Sequence, residues 1–159
     1  MFMLGSNHRI MTNKIVCVLL FVSLTTLAFA CEKDNSETLL YMQRLWHSQV
    51  GANYSYVVEK KCFCSLDYTR EMLVSVIDNN VVEAQYRDTG EKVSEQIVGQ
   101  LLTIPGWFDE ISKAIGNESG ELEASYDSDL GYPVNIKIDR RKMVSDDEFD
   151  VIISKVLKQ

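Results

Sequence analysis

The sequence predicts an α+β fold: a single antiparallel β-sheet of about five or six strands with one or two helices packed on one face. Three observations carry this. Apolar and polar residues alternate at period two in several successive segments, two other segments repeat their apolar residues at three- and four-residue steps, and the connections are short and rich in Asp, Asn, Gly and Pro. With 159 residues, 46% of them hydrophobic and 25% charged, and with no repeat or low-complexity block, the chain has the profile of one globular domain around one core.

The elements follow in order. Residues 31–36 are polar and read as a tether, leaving 37–159 for the domain. Ser36 is placed to cap a helix whose Leu39, Met42, Leu45 and Trp46 recur on one face and which ends near Gly51. Tyr54, Tyr56 and Val58 then mark one side of a strand running into Cys62. Met72 to Ile77 and Val81 to Tyr86 form a hairpin across Asp78-Asn79-Asn80. Residues 93–102 fit either a short helix or a loop. Thr103 to Gly116 read as a helix of about three turns, with proline near its start, Phe108, Ile111 and Ile115 on one face and a closing glycine. Leu122, Ala124 and Tyr126, then Val134, Ile136 and Ile138, alternate inward on two strands joined by residues 127–133, and Phe149 to Leu157 form a last strand that closes the sheet.

The first thirty residues are of another kind. They hold Arg9 and Lys14, no acidic residue, and the apolar run Ile15 to Ala30, which ends in Ala28-Phe29-Ala30. This is the pattern of a signal peptide, too short for a comfortable membrane span, and it predicts export. Met11 is an alternative start that keeps the positive charge beside the apolar run. Because Cys31 follows the cut, the same bond also reads as a bacterial lipoprotein site with Cys31 as the acylated first residue. The box is imperfect, with Phe29 where a small residue is usual and Leu27 one step early. Cysteine arithmetic supports lipidation: Cys17 leaves with the signal, Cys31 takes the lipid, and Cys62 and Cys64 remain as an even pair. Glu32 in second place points to the outer rather than the inner membrane.

Removing residues 1–30 takes away two of the 16 basic residues and none of the 23 acidic ones, leaving a net charge of −9. Such a surface repels phosphate, so neither nucleic acid nor anionic headgroups are expected partners of the folded surface. Membrane attachment then depends on acyl chains.

The stretch Lys60-Lys61-Cys62-Phe63-Cys64 offers three readings. A closed zinc site needs four ligands, and the mature chain adds only His47 and carboxylates, so no metal or other cofactor is expected. A redox pair is chemically open, with two lysines beside the thiols, although no thioredoxin-like strand–helix context follows. A structural disulfide suits an oxidising compartment. Its obstacle is geometric, because residues i and i+2 of an extended strand lie about 6.6 Å apart at Cα, so a bridge requires a bend at Phe63. Elsewhere the chemistry is thin. Asp127-Ser-Asp129-Leu-Gly131 only loosely resembles a calcium loop, because its glycine is one place early and Ile138 stands at the twelfth position. Ser145 to Glu148 read as a solvated turn or a strand entry rather than an acid/base pair, and Asn53 and Asn117 begin chance glycosylation sequons. His47 is the mature chain's one histidine, and no nucleophile elbow, phosphate loop or dinucleotide fingerprint is present. No catalytic residue is assigned, and a non-enzyme is expected.

The order Trp46, Asn53-Tyr-Ser-Tyr56, Cys62-Phe-Cys64, Thr103-Ile104, Trp107-Phe108, Tyr126-Asp127-x-x-Leu130-Gly131-Tyr132-Pro133 and Ile138-Asp139 resembles an uncharacterised bacterial family, domain of unknown function 6174, from about Leu45 to the chain end. The resemblance implies an exported protein, often a lipoprotein, and no activity. Tyr126 and Tyr132 can pack near the cysteine strand if the two ends of the sheet meet, and Tyr126, Asp127, Gly131, Tyr132 and Pro133 are then either one end of the core or the rim of a binding groove. The functional expectation is an envelope protein on the periplasmic side, binding an unknown protein or small ligand, with thiol–disulfide chemistry at Cys62 and Cys64 as the alternative.

Overall fold

The computed structural model describes residues 34–116, 121–139 and 148–159. Cys17, Cys31, the signal segment, Asn117 and Ser145 to Asp147 lie outside them. The elements are α1 (Asp34–Gln49), β1 (Tyr54–Lys61), α2 (Leu66–Thr69), β2 (Met72–Ile77), β3 (Asn80–Tyr86), α3 (Glu95–Val98), α4 (Ile104–Gly116), β4 (Glu121–Tyr126), β5 (Pro133–Asp139) and β6 (Glu148–Lys158). They form an α+β fold. The strands make one open six-stranded sheet, order β3-β2-β1-β6-β5-β4, with every neighbouring pair antiparallel.

Local chemistry explains most of these elements. Between β2 and β3, Asp78 and Asn79 both adopt positive φ, at 50° and 57°, which gives the turn whose twist suits a two-residue hairpin and for which Asp and Asn are well fitted. The Asn53 side-chain carbonyl fixes this turn by accepting from the Asp78 N–H at 2.8 Å. α4 is capped by Thr103, whose Oγ1 accepts from the Gly106 N–H at 3.2 Å, and its face of Ile104, Trp107, Phe108, Ile111 and Ala114 is buried. α1 starts at Asp34, two residues before the expected cap, so Ser36 lies inside the helix and does not cap it. Residues 95–98 resolve to a single helical turn, and another single turn, α2, follows the cysteines.

The largest difference from expectation is the place of β6. The last strand does not close the sheet at an edge. It enters the middle, pairing with β1 on one side and β5 on the other, and so joins the β1–β2–β3 meander to the β4–β5 hairpin. In that place Val151 and Ile153 are fully buried and β6 has hydrogen-bonding partners on both sides.

The core occupies one face. Tyr54, Tyr56, Val58, Met72, Val74, Ile136, Ile138, Val151 and Ile153 point into one cluster with Leu39 and Trp46 of α1 and the buried residues of α4. On the opposite face the register aligns Glu123, Lys137, Asp150 and Lys61 across β4, β5, β6 and β1, in alternating charge.

Candidate functional site

β1 changes character along its length. Tyr54 to Val58 are buried whichever way they point, whereas Lys61 is exposed and the chain then bends through Cys62, Phe63 and Cys64. The bend brings the two Cα atoms to 5.3 Å, inside the range a bridge needs, and Cys62 and Cys64 are joined as a disulfide. The geometric obstacle of an extended strand is thus removed at the residue where the strand ends. Cys64 is exposed and Cys62 half-buried. Between them Phe63 projects into solvent with 95% of its surface exposed, and Leu66 is 81% exposed three residues on.

This turn overhangs a hollow on each side of the sheet end. Towards the helices, a cleft of about 370 Å³ lies against both cysteines and is walled by Lys60, Gln100, Trp107, Glu110 and Phe149. Towards the open face, a hollow of about 270 Å³ lies against Cys62 and Phe63, with Lys61, Lys137, Asp139 and Asp150 around it. A third, smaller space of about 60 Å³ lies between Val58, Met72, Ile97 and Leu101 and shares Lys60, Gln100 and Trp107 with the cleft. In the cleft the Lys60 ammonium lies 5.4 Å from the centre of the Phe149 ring, which in turn tilts against Trp107 at 6.5 Å. On the open face, Asp150 Oδ1 is buried and makes no hydrogen bond, although lysines stand opposite it on both neighbouring strands.

The walls are held from beneath. The Tyr56 hydroxyl donates to the Leu102 carbonyl and the Tyr54 hydroxyl accepts from the Ile104 N–H at 2.9 Å, so two tyrosines of one strand fix the segment entering α4. Burial pushes the Tyr54 hydroxyl up to about 12 and raises that of Tyr56 further. The Trp107 indole N–H bears on the Tyr56 hydroxyl without reaching hydrogen-bond geometry. The segment after the disulfide is pinned independently: Gln100 Nε2 donates to the Tyr68 hydroxyl at 2.9 Å, and Arg70 lies 3.8 Å over the Tyr86 ring while Nε donates to Asp88 at 3.2 Å. That hydrogen bond lowers the Asp88 carboxyl below its usual range.

The second set of candidate residues lies elsewhere. The register puts Pro133 level with Val57, so Tyr132 and the cysteines stand about 20 Å apart along the sheet. Asp127 closes the β4–β5 turn, its Oδ1 accepting from the N–H groups of Asp129 at 3.0 Å and Leu130 at 2.8 Å. Gly131 has φ +81°, and a Cβ on it would stand 2.5 Å from the Met42 carbonyl oxygen of α1. Tyr132 packs edge-on against Trp46 at 6.4 Å, Trp46 against Tyr54 at 5.0 Å, and Tyr126 stacks on Phe108 at 6.4 Å. Gly131 and Tyr132 thus meet α1, Tyr126 meets α4, and Asp127 holds the turn between them.

The structure adds Trp107, Phe149, Gln100 and Glu110 to the cysteine site. Nothing in their spacing pointed there, because the cleft forms only when β6 pairs with β1 and α4 crosses above it. His47 is exposed on α1, away from both cysteines in the chain. Among the described residues, no group of three or more His, Cys, Asp or Glu could hold a metal ion, and no helix is long and apolar enough to cross a membrane.

The family model described as a family of unknown function, DUF6174, matches residues 38–158, and the chain belongs to that family. The match begins before Leu45 and so takes in Met42 and the rest of the α1 surface on which Gly131 rests. No curated protein and no solved structure matches the chain.

Proposed function

We propose that this member of the DUF6174 family is an exported, non-catalytic binding module of the bacterial cell envelope, carried by a lipid on Cys31 at the periplasmic side of the outer membrane, with the disulfide-rimmed cleft as its ligand surface. The observation that carries the reading is Phe63. A large apolar ring exposed to 95% on a short bridged turn costs solvation in the free protein, and a rigid aromatic anchor above a concave wall is what a binding surface uses. The cleft's wall supplies both apolar and polar partners in Trp107, Phe149, Gln100 and Glu110. Export and lipidation rest on the basic and apolar leader, on Cys31 after a small-residue cut and on the even cysteine pair that remains.

Two measurements test this. Mass spectrometry of the N-terminal peptide of the protein isolated from the envelope is expected to find acylated Cys31; an unmodified Cys31, or a chain that retains residues 1–30, overturns the anchor. A photo-crosslinking residue at position 63 is expected to give a discrete adduct in the living cell, and the same residue at the exposed Glu83 of β3 is not. Equal patterns at the two positions overturn the cleft.

A second reading is favoured by the accessibility of the pair: Cys64 is exposed, and surface disulfides are the exchangeable ones. In it, Cys62 and Cys64 exchange with thiols.

A further inference from the structure

We infer that the Cys62–Cys64 bridge is a thiol-exchange site with a fixed polarity, in which an incoming thiolate attacks Cys64 and Cys62 is the leaving sulfur. The inference rests on the second reading above and assigns its chemistry.

The bridge is poorly placed to act as a staple. It closes a ring of three residues, which removes little freedom from the unfolded chain. The segment that follows is already held without it, through the α2 turn, the Gln100–Tyr68 hydrogen bond and Arg70 clasped between Asp88 and the Tyr86 ring. The bridge also sits at the end of the sheet rather than in the core.

Access distinguishes the two sulfurs. Exchange proceeds in line with the S–S bond, so a nucleophile reaches each sulfur from the side away from its partner. At Cys64 the flanking residues Phe63, Ser65 and Leu66 are all exposed. Cys62 also has exposed neighbours in Lys61 and Phe63, but it is itself half-buried and follows directly on the sheet, and this burial is what separates the two. The charges around Cys62 do not decide the matter, because the hollow it borders holds Lys61 and Lys137 but also Asp139, Glu148 and Asp150.

The step balances without a further reagent. A thiolate RS⁻ forms a bond to the Cys64 sulfur, the Cys62–Cys64 bond breaks, and its electron pair leaves on the Cys62 sulfur, which takes a proton from water. A second thiolate then attacks the R sulfur of the mixed disulfide, releasing RSSR and reduced Cys64. Two thiols lose two electrons and the bridge gains two. The substrate class is a thiol on a small molecule or on an exposed extended chain segment, which the cleft of about 370 Å³ beside both cysteines is open enough to admit.

The test uses the protein as isolated from the expressing cell and reduced glutathione as the probe, with acid quenching, alkylation and tryptic mapping. Cleavage after Lys61 and Arg70 releases both cysteines in one peptide, and fragmentation locates the adduct. Glutathione on Cys64 in at least about ten-fold excess over Cys62, with Cys62 alkylated, is the expected result. An adduct on Cys62, or equal labelling, overturns the polarity while leaving exchange at the pair standing. A bridge that forms no adduct and releases no thiol at millimolar glutathione overturns the polarity and the thiol reading together.

Discussion

The two ends of β1 share a strand and little else. At the Tyr54 end the aromatic rings of Trp46, Tyr54 and Tyr132 pack edge to edge, Gly131 brings a turn into contact with the backbone of α1, and the tyrosine hydroxyls are bonded to the chain entering α4. At the Cys62 end Phe63 stands in solvent, hollows open on both faces, and Asp150 Oδ1 is buried without a partner. The contrast shows that one end supplies tertiary closure and leaves the other free to expose groups that stability would disfavour. The two motifs that mark the sequence most strongly are divided between these ends and do not meet.

The comparison can be broken most directly at Gly131. A methyl group there meets the Met42 carbonyl at 2.5 Å in a backbone conformation with φ +81°, with the Trp46 backbone nitrogen and the Leu45 Cβ of the same helix each at 3.0 Å. Gly131→Ala is expected to cost about 3 kcal/mol or more, read as a lowered midpoint in urea denaturation. A loss under about 1 kcal/mol would show that α1 is not locked on this turn.

Alkaline pH acts on the same end. The Tyr54 hydroxyl is raised from 10.0 to about 12, so the folded state holds its proton more tightly than the unfolded chain. Its contribution is complete below pH 10 and is lost as pH rises towards 12. The part of the tyrosinate absorbance that a Tyr54→Phe variant lacks is expected to appear together with unfolding in that interval; smooth ionisation of Tyr54 in a folded protein contradicts its burial.

The disulfide end is expected to respond less. Replacing both Cys62 and Cys64 by serine removes a three-residue ring, worth about 1.5 kcal/mol by chain entropy, roughly half the Gly131 effect. A cost above about 3 kcal/mol would make the bridge a staple after all. Smallest is Phe63→Ser, expected to shift stability by no more than about 0.5 kcal/mol, because the ring is 95% exposed. The same substitution removes the ring proposed as the anchor of the cleft. A substitution that is silent in denaturation and also silent in crosslinking from a neighbouring position such as Ser65 would leave Phe63 without a role.

The legible parts of the fold are those where one segment carries its own signal. Alternation in residues 121–126 and 133–139 marked the β4–β5 hairpin, Asp78-Asn79 the turn between β2 and β3, and the Phe108–Ile111 spacing with Gly116 the helix α4. The α2 turn after Cys64 was not legible, because its four residues form no apolar stripe and bury nothing fully. The cleft was legible only at its rim, in Cys62, Phe63 and Cys64; nothing along the chain tied Trp107 or Phe149 to them.

From its residues alone this protein determined its strand and helix periods, its turn chemistry and the proximity of two cysteines, because each of these is a property of neighbours along the chain. Tertiary structure alone decided that β6 lies in the centre, that Tyr132 packs on Trp46 rather than near the disulfide, and that Lys60, Trp107 and Phe149 wall one cleft. These depend on which apolar faces find each other across long separations, and Val151 and Ile153 can be buried on a central strand only after β1 and β5 have flanked them.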